Sequence, residues 1–254
     1  MNPIFIAGPC VIESSELLEI VAAELVKIKE AISCDVYFKA SFDKANRTSI
    51  KSFRGPGLER GLQMLADIKS KFGLPLLTDV HESYQAEAVG QVVDVIQIPA
   101  FLCRQTDLLV ESAKTGKIIN VKKAQFLSGD DMRYPVEKCR EAGAHEVWLT
   151  ERGNMYGYNN LVVDFRNLPL MKNYADRVIM DCTHSVQRPG AAGGKTGGNR
   201  EFIPAMAMAA KAFGADGYFF ETHPNPEEAL SDGPNMLYLK DLAGVIKSLI
   251  DNNK

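Results

Sequence analysis

The run VYFKASFDKANRTSIKSFRGPGLERGLQMLADIKSKF, residues 36–72, holds one complete structural unit. Residues 36–40 open on the β-branched and aromatic side chains of Val36, Tyr37 and Phe38, the composition of a strand. From residue 58 onward Leu58, Leu62, Leu65, Ile68 and Phe72 recur at helical spacing and lay an apolar stripe along one face. Between strand and helix lies a polar, strongly basic connection. A strand leading into an amphipathic helix is the building block of a parallel sheet, because the helix carries the chain back to the sheet's starting edge.

The same unit recurs along the chain. Strand-like runs occur at IFIAG (4–8), VYFKA (36–40), PLLTD (75–79), VIQIP (95–99), IINVK (118–122), VWLTE (147–151), VIMDC (178–182) and GYFFE (217–221). Helical spacing follows the first in Leu17, Val21, Leu25, Ile28 and Ile32, with Ser14 or Ser15 placed to cap it, and closes the chain in Leu242, Val245, Ile246 and Leu249. Eight alternations in 254 residues match a TIM (β/α)8 barrel, whereas an open doubly wound sheet has fewer strands and opens on a glycine-rich dinucleotide turn that is absent here. No linker or composition shift interrupts them. One α/β barrel domain over residues 1–254 is therefore predicted.

Composition narrows the function. With 29 Lys+Arg against 32 Asp+Glu the formal charge is −3, which speaks against a nucleic-acid binder or a polybasic membrane anchor and favours small-molecule chemistry. The most apolar run, VVDVIQIPAFLC, is too short to span a bilayer, and the N-terminal residues lack the basic start of a signal peptide. Five cysteines, an odd number without a C-x-x-C pair, fit a reducing compartment. A cytoplasmic location is expected.

A barrel places its active site at the C-terminal ends of the strands. At or just past those ends stand Cys10, Lys39, Asp79 with His81, Gln97, Lys122, Arg152, His184 and Glu221, a reactive or polar residue from every strand. Charge at the edge of a β-rich run is costly without a partner, so these positions point to function. The basic connection adds Lys44, Arg47, Lys51 and Arg54 to Lys39 against the lone acid Asp43, a local excess of +4, with Asn46, Thr48 and Ser49 as further donors. That set suits a phosphate or carboxylate held by charge-assisted hydrogen bonds. Cys10, His184, Glu221 and Asp232 offer a thiolate, an imidazole and two carboxylates, a mixed donor set for Fe2+, Zn2+, Co2+ or Mn2+ that converges only if strands one and eight are neighbours.

Other motifs carry less. PGAAGGKTGG (189–198) approaches a phosphate-binding P-loop, but Pro189 replaces its first glycine and Gly197–Gly198 would break the required helix; a glycine-rich loop that can close over the site is expected instead. His145 precedes strand six and falls at the opposite, structural face. His81 and His223 follow strands three and eight and are candidate substrate or supporting contacts. Met206, Met208 and Phe213 read as helix core, and Trp148 as barrel packing.

The stretches IAGPCVIES, FKASFDKANRTS, SFRGPG, TDVHE, IQIPAFLCRQTDLL, INVKKAQF, LTERG, YGYNNLVVDFR, DCTHSVQ, ETHPNPE and LSDGP together resemble the 3-deoxy-D-manno-octulosonate 8-phosphate (KDO8P) synthase family across essentially the whole chain. The resemblance implies a homotetrameric, cytoplasmic TIM barrel that condenses phosphoenolpyruvate with D-arabinose 5-phosphate and water in lipopolysaccharide biosynthesis. It implies a phosphoenolpyruvate site at Lys39, Lys44, Gln97, Lys122 and Arg152. The arabinose 5-phosphate site falls on Asn46, Arg47, Thr48 and Asp79, with Arg104 reaching in from a neighbouring subunit. Cys10, where the family's metal-independent branch carries Asn, places the chain in the metal-dependent branch, with Cys10, His184, Glu221 and Asp232 as ligands and Lys122, Asp232, His184 and Cys10 as catalytic residues. Thr48 for Ser and Ala124 for Pro or Gly are departures from that pattern. Three rivals stand beside it: the related 3-deoxy-D-arabino-heptulosonate 7-phosphate synthases, which use erythrose 4-phosphate and read Lys-Pro-Arg-Thr-Ser where this chain has Lys44-Ala45-Asn46-Arg47-Thr48; a class I aldolase using Lys122 as a Schiff base; and a non-catalytic phosphosugar-binding barrel.

Overall fold

The computed structural model describes residues 3–192 and 195–251, with the side chains of 190–192 and 195–196 left aside. Eight parallel strands form its centre: β1 Ile4–Gly8, β2 Asp35–Lys39, β3 Leu76–Asp79, β4 Val95–Ile98, β5 Ile118–Lys122, β6 Val147–Glu151, β7 Arg177–Asp181 and β8 Gly217–His223. They pair in chain order, and β8 pairs back onto β1 with Ile4 opposite Gly217 and Gly8 opposite Glu221, so the sheet closes. The predicted (β/α)8 barrel is present, with strand limits within two residues of those read from the sequence. Eight helices follow the strands in turn: α1 Ser15–Ile32, α2 Leu58–Phe72, α3 Ala86–Gly90, α4 Thr106–Lys114, α5 Arg133–Glu141, α6 Asn167–Met171, α7 Ile203–Ala212 and α8 Leu239–Ile250. Ser14 caps α1, its hydroxyl accepting from the Leu17 N–H at 3.1 Å.

Strand periodicity decides what fills the barrel. One apolar cluster, Ile4, Ile6, Leu77, Val95, Trp148, Ile179 and Phe219 with Tyr37 and Ile118 against it, plugs the interior. A separate, larger cluster joins the outer face of the sheet to the helices. Two residues beyond the interior apolar side chain of seven of the strands, on the same face, the chain switches to Lys39, Asp79, Gln97, Asn120, Thr150, Asp181 and Glu221, while in β1 the same step from Ile6 reaches Gly8. The interior is therefore dry at one end and polar at the other, and the polar layer is the floor of the site.

Several expectations need correction. Met208 and Phe213 are each 44% exposed; Phe213 stacks on Phe165 outside the barrel, and only Met206 packs on the core. The segment after β7 forms an antiparallel pair of strands, 187–192 with 195–198, in place of a loop, and residues 193–194 lie outside the described residues. No helix starts at Gly197–Gly198, in keeping with the rejection of a phosphate-binding P-loop. All five cysteines are buried free thiols.

At Gly8 the chain has no room for a side chain, because a Cβ would overlap the carbonyl oxygen of Lys39 on the adjoining strand. Gly8→Ala is therefore expected to destabilise the fold by at least about 2 kcal/mol, roughly 4–8 °C in melting temperature at this chain length. A calorimetric melt unchanged from wild type would contradict this account of the seam.

Candidate active site

The charged residues at the mouth hold one another in place. Lys39, at the end of β2, donates to Glu221 Oε1 and to the Cys10 carbonyl, both at 2.9 Å, and Lys44 stands 3.6 Å from the same carboxylate oxygen. The other oxygen, Glu221 Oε2, lies 3.4 Å from His184 Nε2. Across the barrel Lys122 donates to Asp181 Oδ2 at 2.7 Å and sits 3.9 Å above the Phe219 ring, a cation–π contact in a dry environment. Asp181 also accepts from His184 Nδ1 at 2.7 Å, from the His184 N–H at 2.9 Å and from the Thr183 hydroxyl at 3.1 Å. Held by Asp181 at Nδ1, His184 turns Nε2 toward Glu221 and Asp232. Gln97, Asn120 and Thr150 complete the layer as a hydrogen-bonded chain, Gln97 Nε2 to Asn120 Oδ1 at 2.6 Å and Asn120 Nδ2 to Thr150 Oγ1 at 2.8 Å.

Beyond β8, Asp232 occupies the left-handed region at φ 49°, a conformation Asp tolerates better than most residues. It brings the carboxylate to 3.5 Å from Cys10 Sγ, which also meets the Ser231 hydroxyl at 2.9 Å. Donor atoms of Cys10, Glu221 and Asp232 all lie within 4.8 Å of one another, a group able to hold a cation, and His184 Nε2 approaches two of them, at 3.4 Å from Glu221 and 3.9 Å from Asp232. The donor chemistry fits a borderline divalent ion: a thiol, two carboxylates and, beside them, an imidazole, with Glu221 Oε1 taken by lysines and Oε2 turned toward His184 Nε2. Without such an ion, burial pushes the Cys10 thiol far up, and the Glu221 and Asp232 charges add to that. Three of the four sequence-predicted ligands thus lie together, and His184 stands at the margin of the group.

Two adjoining cavities open above this layer. The smaller, about 250 Å³, is walled by Lys39, Asp79, Gln97, Lys122, Arg152 and Glu221 among others; the larger, about 910 Å³, reaches outward past Arg47, Thr48, Gln187 and Asp232. Lys44, Asn46, Arg152 and His184 line both. Arg152 donates through Nη2 to Gln187 at 2.7 Å and leaves Nη1 buried without a protein partner. Asp79 pairs with His81 at 3.1 Å and keeps Oδ1 unpartnered, and Arg47 lies 3.9 Å from Asp232 with Nη2 unpartnered. Unfilled buried donors and acceptors on the walls of the two adjoining cavities are the mark of a site awaiting a polar ligand. Of the candidates, Arg104 is exposed and lines neither cavity of its own chain. His223 lines neither as well; it accepts from the Asn225 N–H at 3.0 Å.

Asp181, Asn120 and Thr150 were not singled out in the sequence, whereas Gln97 was. Their signal was the strand alternation: each sits two residues beyond an apolar interior position, where the barrel demands an inward side chain. Gln125, which lines both cavities with its amide oxygen buried and unpartnered, left no such signal because it belongs to a loop.

A closed barrel with polar or charged residues from every strand end around a cationic cavity, and a thiol–carboxylate group at its rim, is a (β/α)8-barrel enzyme built for anionic substrates. The chain belongs to the DAHP synthetase I family, whose model matches residues 1–253. It is 55% identical to the 2-dehydro-3-deoxyphosphooctonate aldolase of Helicobacter hepaticus over 98% of this chain and 96% of that protein. It is 54% identical to the protein of the same name from Wolinella succinogenes, over 97% and 98% respectively, and 56% identical to that of a Cyanothece species, over 96% and 90%. Among the described residues no helix is long and apolar enough to cross a membrane.

The buried acids predict an acid limit to stability. Burial, the largest single influence, opposes ionisation of Asp79, Asp181 and Glu221, yet the summed pull of neighbouring imidazoles and lysines holds all three below the ordinary carboxylate range. In the unfolded chain these groups titrate near pH ~4. Their stabilisation is thus complete above roughly pH 5 and is lost as pH falls below about 4. Urea midpoints should be flat above that window and fall steeply under it, and Asp181→Asn should make the fall shallower. An acid slope unchanged by Asp181→Asn would contradict the assignment.

Proposed function

We propose that the chain condenses phosphoenolpyruvate with D-arabinose 5-phosphate and water, giving 3-deoxy-D-manno-octulosonate 8-phosphate and phosphate. The relatives named above carry a name for this chemistry. The observation that carries the reading is the pair of joined cavities. One is small and deeply cationic; the other is longer and lined by Asn46, Arg47 and Thr48; they meet at His184 beside Glu221. Two anionic substrates laid end to end through them would bring their reacting carbons together over the polar floor.

In this reading Lys39, Lys44, Lys122 and Arg152 offset the carboxylate and phosphate charges of the enol phosphate, with Gln97 giving the inner pocket a neutral hydrogen-bonding edge. Asn46, Arg47 and Thr48 hold the sugar phosphate, with Asp79 oriented toward its hydroxyls by His81. Holding both substrates supplies the proximity term of the reaction. C3 of the enol phosphate attacks the aldehyde carbon, water adds at C2, and the C2–O bond to phosphate breaks to leave the ketone. The carbonyl oxygen of the aldehyde becomes a hydroxyl. Burial, set against the Asp181 charge, lowers the proton affinity of Lys122, so its ammonium can stabilise or protonate an oxygen that gains charge in the transition state. A divalent ion held by Cys10, His184, Glu221 and Asp232, Fe2+ or Zn2+ and by the same donor logic Mn2+ or Co2+, would supply Lewis acidity for the water or the aldehyde.

The exposed position of Arg104 supports its use by a neighbouring subunit, and with it a homotetramer. The buried thiols and the absence of a spanning helix among the described residues accord with a cytoplasmic barrel serving lipopolysaccharide synthesis.

Purified protein should release phosphate from phosphoenolpyruvate with arabinose 5-phosphate at a kcat/KM at least tenfold above that with erythrose 4-phosphate. Exhaustive chelation should abolish turnover, restored by one divalent ion per chain, and Cys10→Ala should resist restoration. Preference for the four-carbon sugar, or full activity after chelation, would sink the respective part of the reading.

A further inference from the structure

Behind the cavity wall, Lys123 and Glu151 are wholly buried, and neither lines either cavity. Lys123 Nζ stands 3.4 Å from Glu151 Oε1 and donates to Asn154 Oδ1 at 3.0 Å, to the Leu127 carbonyl at 3.1 Å and to the Ala124 carbonyl at 3.2 Å. Glu151 Oε1 accepts the backbone N–H groups of Arg152 at 2.9 Å and Gly153 at 2.6 Å, and its Oε2 accepts from Asn167 Nδ2 at 2.9 Å. Gly153 takes φ +91°, a left-handed turn that a carboxylate receiving both N–H groups holds rigid. The two loops are tied again where the Met155 N–H meets the Gln125 carbonyl at 3.0 Å. A buried ion pair is a poor source of stability, since desolvating both charges offsets most of their attraction; its best-attested use is to fix one arrangement among several.

We propose that Glu151, its buried charge balanced by Lys123, is a positioning clamp: its carboxylate grips the turn after β6 and so fixes Arg152, with its unpartnered Nη1, at the inner cavity beside the Gln125 amide. This rests on the reading of Arg152 as a phosphoenolpyruvate contact. Lys123 and Glu151 act through Arg152 and touch no substrate. The clamp differs from general structural support in being selective. Loosening it disturbs the enol phosphate subsite and leaves the loop carrying Asn46, Arg47 and Thr48, which follows β2, in place.

Two double variants separate the ion pair from the grip on the turn. Lys123→Met with Glu151→Gln removes both charges but keeps a carbonyl that can accept the Arg152 and Gly153 N–H groups, whereas Lys123→Met with Glu151→Leu removes that acceptor too. Calorimetry with phosphoenolpyruvate alone should give a Kd within threefold of wild type for the first and at least tenfold weaker for the second. The KM for arabinose 5-phosphate should stay within threefold in both. If the Leu variant does not fold, Asn167→Ala, which frees Glu151 Oε2, should weaken phosphoenolpyruvate three- to tenfold with the same selectivity. Equal effects of the two double variants, unchanged Kd in the Leu or Ala variant, or a parallel rise in the sugar phosphate KM would overturn the clamp. Wild type that binds phosphoenolpyruvate but does not turn over with the pentose phosphate would defeat the proposed reaction and leave the clamp to be judged on the Kd ratios. Wild type that does not bind phosphoenolpyruvate would defeat both.

Discussion

Lys39 and Glu221 meet at 2.9 Å from β2 and β8, strands that are 182 residues apart in sequence and become neighbours-but-one only because β1 closes the barrel between them. The contact needs Gly8 at the top of β1, where any side chain would occupy the space of the Lys39 backbone. It also sets the chemistry. By taking one oxygen of Glu221, Lys39 leaves the other for His184 and the rim group, and the charge it neutralises is what allows further carboxylates to gather beside it. Closure of the fold and assembly of the site are thus one event, since neither charge could remain buried in an open sheet.

The same economy runs round the layer. Asp181 receives four donors and ties Lys122 to His184, so the cation at the floor and the imidazole at the rim are oriented by a single carboxylate. Buried lysines at Lys39 and Lys122 rest on the face of Phe219, a ring of the apolar plug. Dry packing below and paired charge above are therefore not independent features. The plug excludes water, which strengthens the ion pairs, and the pairs make the charge at the end of each strand tolerable.

Much of this was legible in the amino-acid sequence because period-2 alternation is a local signal. VYFKA and IINVK announce both the strand and the charged residue at its end, and all eight strands fall where such runs place them. Cys10, His184, Glu221 and Asp232 could be grouped before any coordinates because a closed barrel makes strands one and eight adjacent. What could not be read depends on side-chain direction and on loops. Asp181 looks like an ordinary strand-end acid until its four donors are seen. Lys123, one residue after Lys122, points outward for that very reason and meets Glu151 on the far side of the wall. The strand pair 187–192 with 195–198 reads as loop in a single chain because its glycines carry no strand propensity; pairing between its arms supplies what the residues lack. Met208 and Phe213 follow a helical stripe, but the stripe runs past the edge of the surface the helix covers.

Because the account makes the Lys39–Glu221 contact the hinge between fold and site, a double-mutant cycle in metal-free protein tests it most directly. Lys39→Met, Glu221→Gln and the double variant, compared by urea unfolding at neutral pH, should give a coupling of about 2 kcal/mol or more, with each single change costing more than the pair together. Additive effects, with coupling under about 0.5 kcal/mol, would contradict it.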